Sequence, residues 1–263
     1  MPVNIKAKLI KKEKLIPGIF KFSVKADEIT NIAKPGQFIE IRVNDDIEPF
    51  LRRPISIHNI DKENEILEFI FQVKGKGTTI LSCKTEGDLI DIVGPLGHGT
   101  FEYENYQNLA IIGGGIGVFP LYELAKSARK EGKSVNTYLG FRSKGLVVLE
   151  EEFKNVSNNL TLTTDDGSYS KKGFAIDFLR KDIEDGKIHS IYACGPLPML
   201  KAVRNLALEK NIPCQISLEE LMACGLGVCL GCAVKTAQSP IETLEYVHVC
   251  KQGPVFKAED VEM

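Results

Sequence analysis

Around Tyr103 the hydrophobic pattern of this 263-residue chain changes period, and that change limits the folds open to it. Upstream, Leu67, Phe69, Phe71 and Val73 place large apolar side chains on every second position. The stretch 88–93 repeats the pattern and stops at Gly94-Pro95, while Pro17-Gly18 and Pro35-Gly36 mark earlier turns. Short alternating strands without a long helix predict an antiparallel β-barrel over 1–102. Downstream, Asn108-Leu109-Ala110-Ile111-Ile112 is apolar without alternation, as in a strand buried on both faces of a parallel sheet. It enters the glycine turn 113–117, and a helix is expected from near Pro120 to near Gly132. Further strands are expected at 135–141, 160–164 and 188–194, with helices at 176–180 and 197–209. That alternation predicts a doubly wound parallel α/β domain over 103–213.

The remaining residues, 214–263, carry four of the seven cysteines, Cys224, Cys229, Cys232 and Cys250, spaced C-x4-C-x2-C-x17-C. This is the plant-type [2Fe–2S] spacing. Gly225, Gly227 and Gly231 suit a tight loop whose backbone N–H groups face sulfur. Zinc is the alternative, although zinc usually takes two C-x2–4-C knuckles, and here three cysteines crowd into one loop. A small C-terminal [2Fe–2S] lobe with these four thiolates as metal ligands is the expectation. The odd cysteine count and the absence of an apolar h-region in MPVNIKAKLIKKEK argue against an exported disulfide scaffold and for the cytoplasm. A net charge of −2 gives no reason to expect nucleic acid, and no apolar run of about 18 residues exists to span a membrane.

Three further motifs seek anions or nucleotides. In 53–56, the guanidinium of Arg53 and the hydroxyl of Ser56 can aim at one anion, with Pro54 and Ile55 fixing the strand between them. A solvated edge strand is the blander reading. The turn 74–79 offers N–H groups at Gly77 and Thr78 for a phosphate, so the two elements together suggest a dinucleotide such as FAD. The turn Gly113-Gly114-Gly115-Ile116-Gly117 departs from G-x-G-x-x-G, yet it sits where a doubly wound sheet binds its nucleotide; a tight structural turn is the alternative. Two more strand-end loops should reach that crevice. One brings Asp166 for a ribose, and the other is Cys194-Gly195-Pro196, whose cysteine reads equally well as a small buried hydrophobe. No Ser-His-Asp or Cys-His nucleophile system is visible, so no catalytic residue is assigned.

Together RRPISI, GGGIGVFPLYELAK, GFRSK, TDDGS, YACGPLPM and CGLGVCLGC…CKQGPVF resemble the ferredoxin–NADP⁺ reductase superfamily. The resemblance is closer to the electron-transfer subunits of dihydroorotate dehydrogenase B, and it covers essentially the whole chain. It implies that Arg53, Pro54, Ile55 and Ser56 hold FAD, with Arg53 on the pyrophosphate. It also implies that Ile70, Phe71 and Gln72 form the strand beside the flavin and that Gly77 and Thr78 form its phosphate turn. The four thiolates would hold the cluster. Arg142 and Lys144 could suit a 2′-phosphate, but the resemblance favours NAD(H). The implied partner is an FMN-containing catalytic subunit in pyrimidine synthesis, two copies of each chain together. The expected activity is oxidoreductase electron transfer between nicotinamide, flavin, cluster and that partner. Hydrogenase-associated and bifurcating transhydrogenase subunits share the first two domains and are the alternative. A zinc-stabilised nucleotide-binding regulator is the more distant one.

Overall fold

The computed structural model describes residues 1–237 and 246–263. Strands β1 (Val3–Ile16), β2 (Ile19–Lys25), β3 (Phe38–Arg42), β4 (Arg53–Asp61), β5 (Ile66–Gln72) and β6 (Leu89–Leu96) close into an antiparallel barrel in the order β1-β2-β5-β4-β3-β6. Helices α1 (Asp27–Thr30) and α2 (Lys76–Ser82) lie between strands. The alternation in β5 turns Leu67, Phe69 and Phe71 inward, and Phe22 meets Phe71 edge-on at 5.1 Å. Ile70 faces the other way and is buried all the same, because the second domain covers it.

That domain is a seven-stranded sheet built on β7 (Asn108–Gly114), β8 (Ser134–Phe141), β9 (Asn159–Thr164), the two-residue β10 (Lys171–Lys172) and β11 (Ser190–Cys194). All of these pair in parallel, as the apolar run of β7 predicts, although the two-lysine β10 carries no such run. Helix α3 (Leu121–Lys130) buries Leu121, Leu124, Ala125 and Ala128, one stripe at helical spacing. Helix α4 (Glu150–Val156), absent from the sequence reading, has only Phe153 and Val156 to bury. Helices α5 (Ala175–Glu184) and α6 (Leu197–Lys210) bury similar stripes through Leu179 and Ile183, and through Val203 and Leu206.

The expected boundary at 213 falls one strand early. Strand β12 (Cys214–Ser217) adds to β11 in parallel. Beyond a small hairpin, β13 (Ala233–Lys235) with β14 (Tyr246–His248), strand β15 (Val255–Lys257) closes the sheet edge antiparallel to β12. The full order is β10-β9-β8-β7-β11-β12-β15, which puts the topological switch between β7 and β11. Three residues are too few to show a period, so β15 is invisible in sequence.

A polar latch joins barrel to sheet. Glu123 on α3 accepts the Ile60 backbone N–H at 2.6 Å, pairs with Lys126 at 2.7 Å and accepts the Ser127 hydroxyl at 2.8 Å. Lys126 donates back to the Ile60 carbonyl at 2.8 Å and to Asn59. Beside it, the His58 ring stacks on Tyr122 at 4.8 Å, and its Nδ1–H donates to the Phe119 carbonyl at 2.8 Å.

Burial pulls the His58 pKa down to about 4, against the opposing pull of the Phe119 carbonyl. Above roughly pH 6.5 the ring is neutral in folded and unfolded chains alike, and it costs nothing. As pH falls from there towards 4, the unfolded chain takes up a proton that the folded chain refuses, and stability drops by roughly 3 kcal/mol across the window. Urea unfolding at a series of pH values should show this loss in the wild type. In His58→Phe the slope over that window should be flatter, even though the variant starts less stable for want of the Phe119 bond.

Candidate functional site: two joined cavities and a thiol loop

The first cavity, about 260 Å³, opens on the outer face of the barrel. Arg53, Pro54, Ile55 and Ser56 from β4 line it, as do Ile70, Phe71 and Gln72 from β5 and Thr78 from α2. Gly77 lies just behind: a Cβ there would sit 2.7 Å from Cζ of Arg53, so the bare glycine lets the guanidinium lie flat over the turn. Arg53 Nη1 also donates to the carbonyls of Leu51 and Arg52, which holds the side chain in place. Thr78 Oγ1 accepts the N–H groups of Lys74 and Gly75 at 2.9 and 3.2 Å. Those two amides are therefore spent on the turn, and the amides open to an anion are those of the first helical turn, 76–78. Hydroxyl, guanidinium, first-turn amides and an apolar wall of Ile55, Ile70 and Phe71 fit a dinucleotide with a flat ring, such as FAD.

The second cavity, about 810 Å³, lies at the carboxyl ends of the parallel strands, beside the switch point. Gly114, Gly115, Gly117, Gly195 and Pro196 form one wall. The glycine turn both packs tightly and lines the cavity. A Cβ on Gly117 would sit 2.5 Å from the Gly195 Cα, so the two loops meet backbone to backbone. Gly113 lies outside the wall and packs on Val118, where a Cβ would be 2.8 Å from Cγ1. Cys194 is buried behind the wall, and its thiol is pushed well up by burial first and by the Glu219 charge second. Asp166 turns away, because its Oδ1 accepts the N–H and O–H of Ser168 at 2.9 and 2.6 Å; the neighbouring Asp165 lines the cavity instead.

Gln72, Lys74, Ile116, Phe119 and Glu219 line both cavities, so the two spaces join. Lys74 and Glu219 were missed in the sequence. Glu219 follows β12, a strand whose existence the sequence did not reveal, and Lys74 lies in the 74–79 turn, where the sequence singles out only the amides of Gly77 and Thr78.

Cys224, Cys229 and Cys232 lie on one loop beyond the first cavity, and Cys250, which follows β14, comes back against it. The N–H groups of Leu226, Val228 and Cys229 each point at Cys224 Sγ at 3.4 Å, and Gly227 N–H points at Cys250 Sγ at 3.1 Å. Cys250 N–H points at Cys232 Sγ at 3.4 Å. Gly225 and Gly227 adopt φ of +66° and +78°, which turns those amides inward. Burial pushes the Cys224 thiol up, but the three amides together outweigh it and leave it lowered to about 6. Burial and the neighbouring Cys232 push Cys250 up to about 12. A ready thiolate in a nest of N–H···S contacts is the donor set an iron–sulfur group needs. Cys232 and Cys250 are buried in the core, whereas Leu221, Leu226, Val228 and Leu230 project around Cys229 into solvent. On the barrel side, Glu40 underlies Gly225; burial pushes its carboxyl up to about 7, Arg52 pulls it down and Cys224 adds to the rise.

Comparisons with known proteins fall on the same regions. The model for the iron–sulfur cluster binding domain of dihydroorotate dehydrogenase B matches residues 219–262, and the oxidoreductase NAD-binding domain matches residues 111–205. The dihydroorotate dehydrogenase B (NAD(+)) electron transfer subunit of Bacillus pumilus is 41% identical over 92% of each chain. Its counterpart from Fusobacterium nucleatum is 40% identical over 93% of each. Among solved structures, a chain of an NADH-dependent reduced ferredoxin-NADP oxidoreductase, described for flavin-based electron bifurcation, superposes with a TM-score of 0.86 at 34% identity. That match covers 98% of this chain and 90% of that one. The cytochrome b5 reductase domain of Ulva prolifera nitrate reductase shares the fold at a TM-score of 0.64 and 17% identity, covering 80% and 94%.

Two substitutions test the walls. Gly117→Ala drives a Cβ into the Gly195 backbone, which cannot yield as a side chain could. The KM for NADH in dye reduction should rise at least about tenfold with flavin content unchanged. Gly77→Ala displaces only the end of one side chain, that of Arg53, rather than backbone, so the fold should survive by circular dichroism. Losing one charged hydrogen bond of roughly 1.5–3 kcal/mol should weaken FAD retention about ten- to a hundredfold, read by fluorescence on gel filtration.

Proposed function

The chain belongs to the family of dihydroorotate dehydrogenase B electron-transfer subunits, and from that premise we propose which of its residues carry the transfer and to what. The observation that carries the reading is the joining of the two cavities beside the thiol loop. FAD exchanges two electrons with a nicotinamide and single electrons with a [2Fe–2S] group, and that conversion is what the bound cofactors supply. Arg53, Ser56 and Thr78, with the Gly77 turn, hold FAD on the barrel. Ile70, Phe71 and Gln72 flank its ring. Gly114, Gly115 and Gly117 with Gly195 and Pro196 admit NAD(H) to the crevice, and Phe119 and Glu219 border both spaces where the rings would meet. Cys224, Cys229, Cys232 and Cys250 ligate the cluster, and exposed Cys229 with its apolar surround faces the partner.

The partner in this reading is an FMN-containing catalytic subunit that oxidises dihydroorotate in pyrimidine synthesis, in a complex with two copies of each chain. Net electron flow runs from dihydroorotate through this chain to NAD⁺. Free thiols at Cys83, Cys194 and Cys214 support a reducing, cytoplasmic setting. Among the described residues no helix is long and apolar enough to cross a membrane. The 34% identity to the bifurcating oxidoreductase chain favours, as a second reading, the reductase arm of such a complex.

Co-expression with the catalytic subunit should give dihydroorotate-dependent NAD⁺ reduction. Cys229→Ser should abolish that activity while NADH-dependent dye reduction through FAD persists. A purified complex that reduces ferredoxin but never couples dihydroorotate to NAD⁺ would support the second reading against the first.

A further inference from the structure

Glu40 is a buried carboxyl that neither cavity uses. It is 1% exposed, and neither Oε1 nor Oε2 has a hydrogen-bond partner among the described residues. The alternation of β3 explains its direction. Ile39 and Ile41 point into the barrel core, so Phe38 and Glu40 point out. Phe38 lines the flavin cavity. Two residues along the same face, Glu40 stands opposite Pro54 of the flavin segment on one neighbouring strand and opposite Val93 on the other. A bare barrel would leave it in water. The thiol loop covers it instead, so closely that a Cβ on Gly225 would lie 2.6 Å from Glu40 Oε1. The nearest cation is already engaged: Arg52 Nη1 lies 2.7 Å from Asp91 Oδ1 and reaches only the main-chain oxygen of Glu40, at 3.4 Å. The carboxyl therefore sits in the seam between the flavin strand and the ligand loop, with no partner of its own.

We propose that Glu40 is a potential-setting residue of the iron–sulfur centre, its carboxylate lowering the one-electron potential of the group held by the four thiols. The inference rests on the reading of those thiols as [2Fe–2S] ligands. When ionised, this carboxyl places a negative charge in a seam of low dielectric and disfavours an electron arriving one loop away; Arg52, engaged with Asp91, offsets that charge only in part. Glu40 makes and breaks no bond. NADH, or the partner, supplies the electron, and Glu40 shifts only the equilibrium between flavin and cluster. Its effect keeps the cluster low enough in potential to return electrons to the flavin and NAD⁺, the direction the function requires.

The test is an anaerobic potentiometric titration of the holoprotein at pH 8, following the reduced cluster by electron paramagnetic resonance. Glu40→Gln keeps the shape and removes the charge. The one-electron equilibrium constant for cluster reduction should rise at least about tenfold, which is about 59 mV. Glu40→Asp keeps the charge and should return the midpoint most of the way to wild type. If Glu40→Gln loses iron, Glu40→Met supplies a second uncharged variant. An unchanged midpoint at equal iron, sulfide and FAD content overturns the inference. So does an aspartate variant that behaves like the glutamine one, since packing alone would then set the potential. A wild-type protein without the spectrum of a reduced [2Fe–2S] group is a separate failure, that of the ligand assignment itself.

Discussion

Everything the chain can do with a nicotinamide and a flavin depends on the barrel and the sheet meeting in one fixed pose, and a small set of buried polar contacts holds that pose. Glu123 and Lys126 on α3 bond to both the N–H and the carbonyl of Ile60, and His58 on the same strand bonds back to Phe119. These groups are buried and matched donor to acceptor, so sliding one domain over the other would strand several of them unpaired. Apolar packing alone would tolerate such a slip. The strand they grip is β4, whose other end, 53–56, lines the first cavity. The helix they grip begins just after Phe119 and Pro120, which line the flavin cavity. The latch therefore sets the register between the two binding walls.

The glycines then close the distance. At Gly117 and Gly195 the two loops approach until no Cβ fits. One motif thus serves as cavity wall and as close-packed joint. Gly113 shows the purely structural share, and Gly114 and Gly115 the share open to ligand.

Much of this was legible in the sequence because period and spacing are local. The β5 alternation, the apolar run of β7 and the cysteine spacing each announce one physical requirement within a few residues. What could not be read depends on long-range pairing. Strands β12 and β15 are too short to show a period, yet they move the sheet edge past residue 213 and bring Glu219 to the junction of the cavities. Asp166 illustrates the reverse difficulty. Its position at a strand end suggested a ribose ligand, but an acid two residues before a serine satisfies itself locally. Glu40 was equally hidden, since an acid in an alternating strand reads as solvent-facing until another segment covers that face.

The C-terminal tail shows how a loop of marginal size can hold a charged centre in a defined place. Four thiolates drawn together, as the proposed cluster requires, would repel one another, and a loop of this length has little apolar surface with which to resist. The tail resolves this by anchoring elsewhere. Val255–Lys257 joins the sheet through β12. His98 and Gly99 of the barrel donate to the carbonyls of Lys251 and Gly253 at 3.1 and 2.9 Å, and Leu218 donates to the carbonyl of Pro254 at 2.9 Å. Cys250 lies just before this anchored stretch, and Cys232 is held to Val249 by a backbone bond at 3.0 Å. The two inner cysteines thus belong to the core, while Cys224 and Cys229 ride on the glycine loop. In the proposed reading, a centre held here would be gripped on its inner side by the core and would present its outer side, around Cys229, to solvent. That division of labour follows from which thiols are buried.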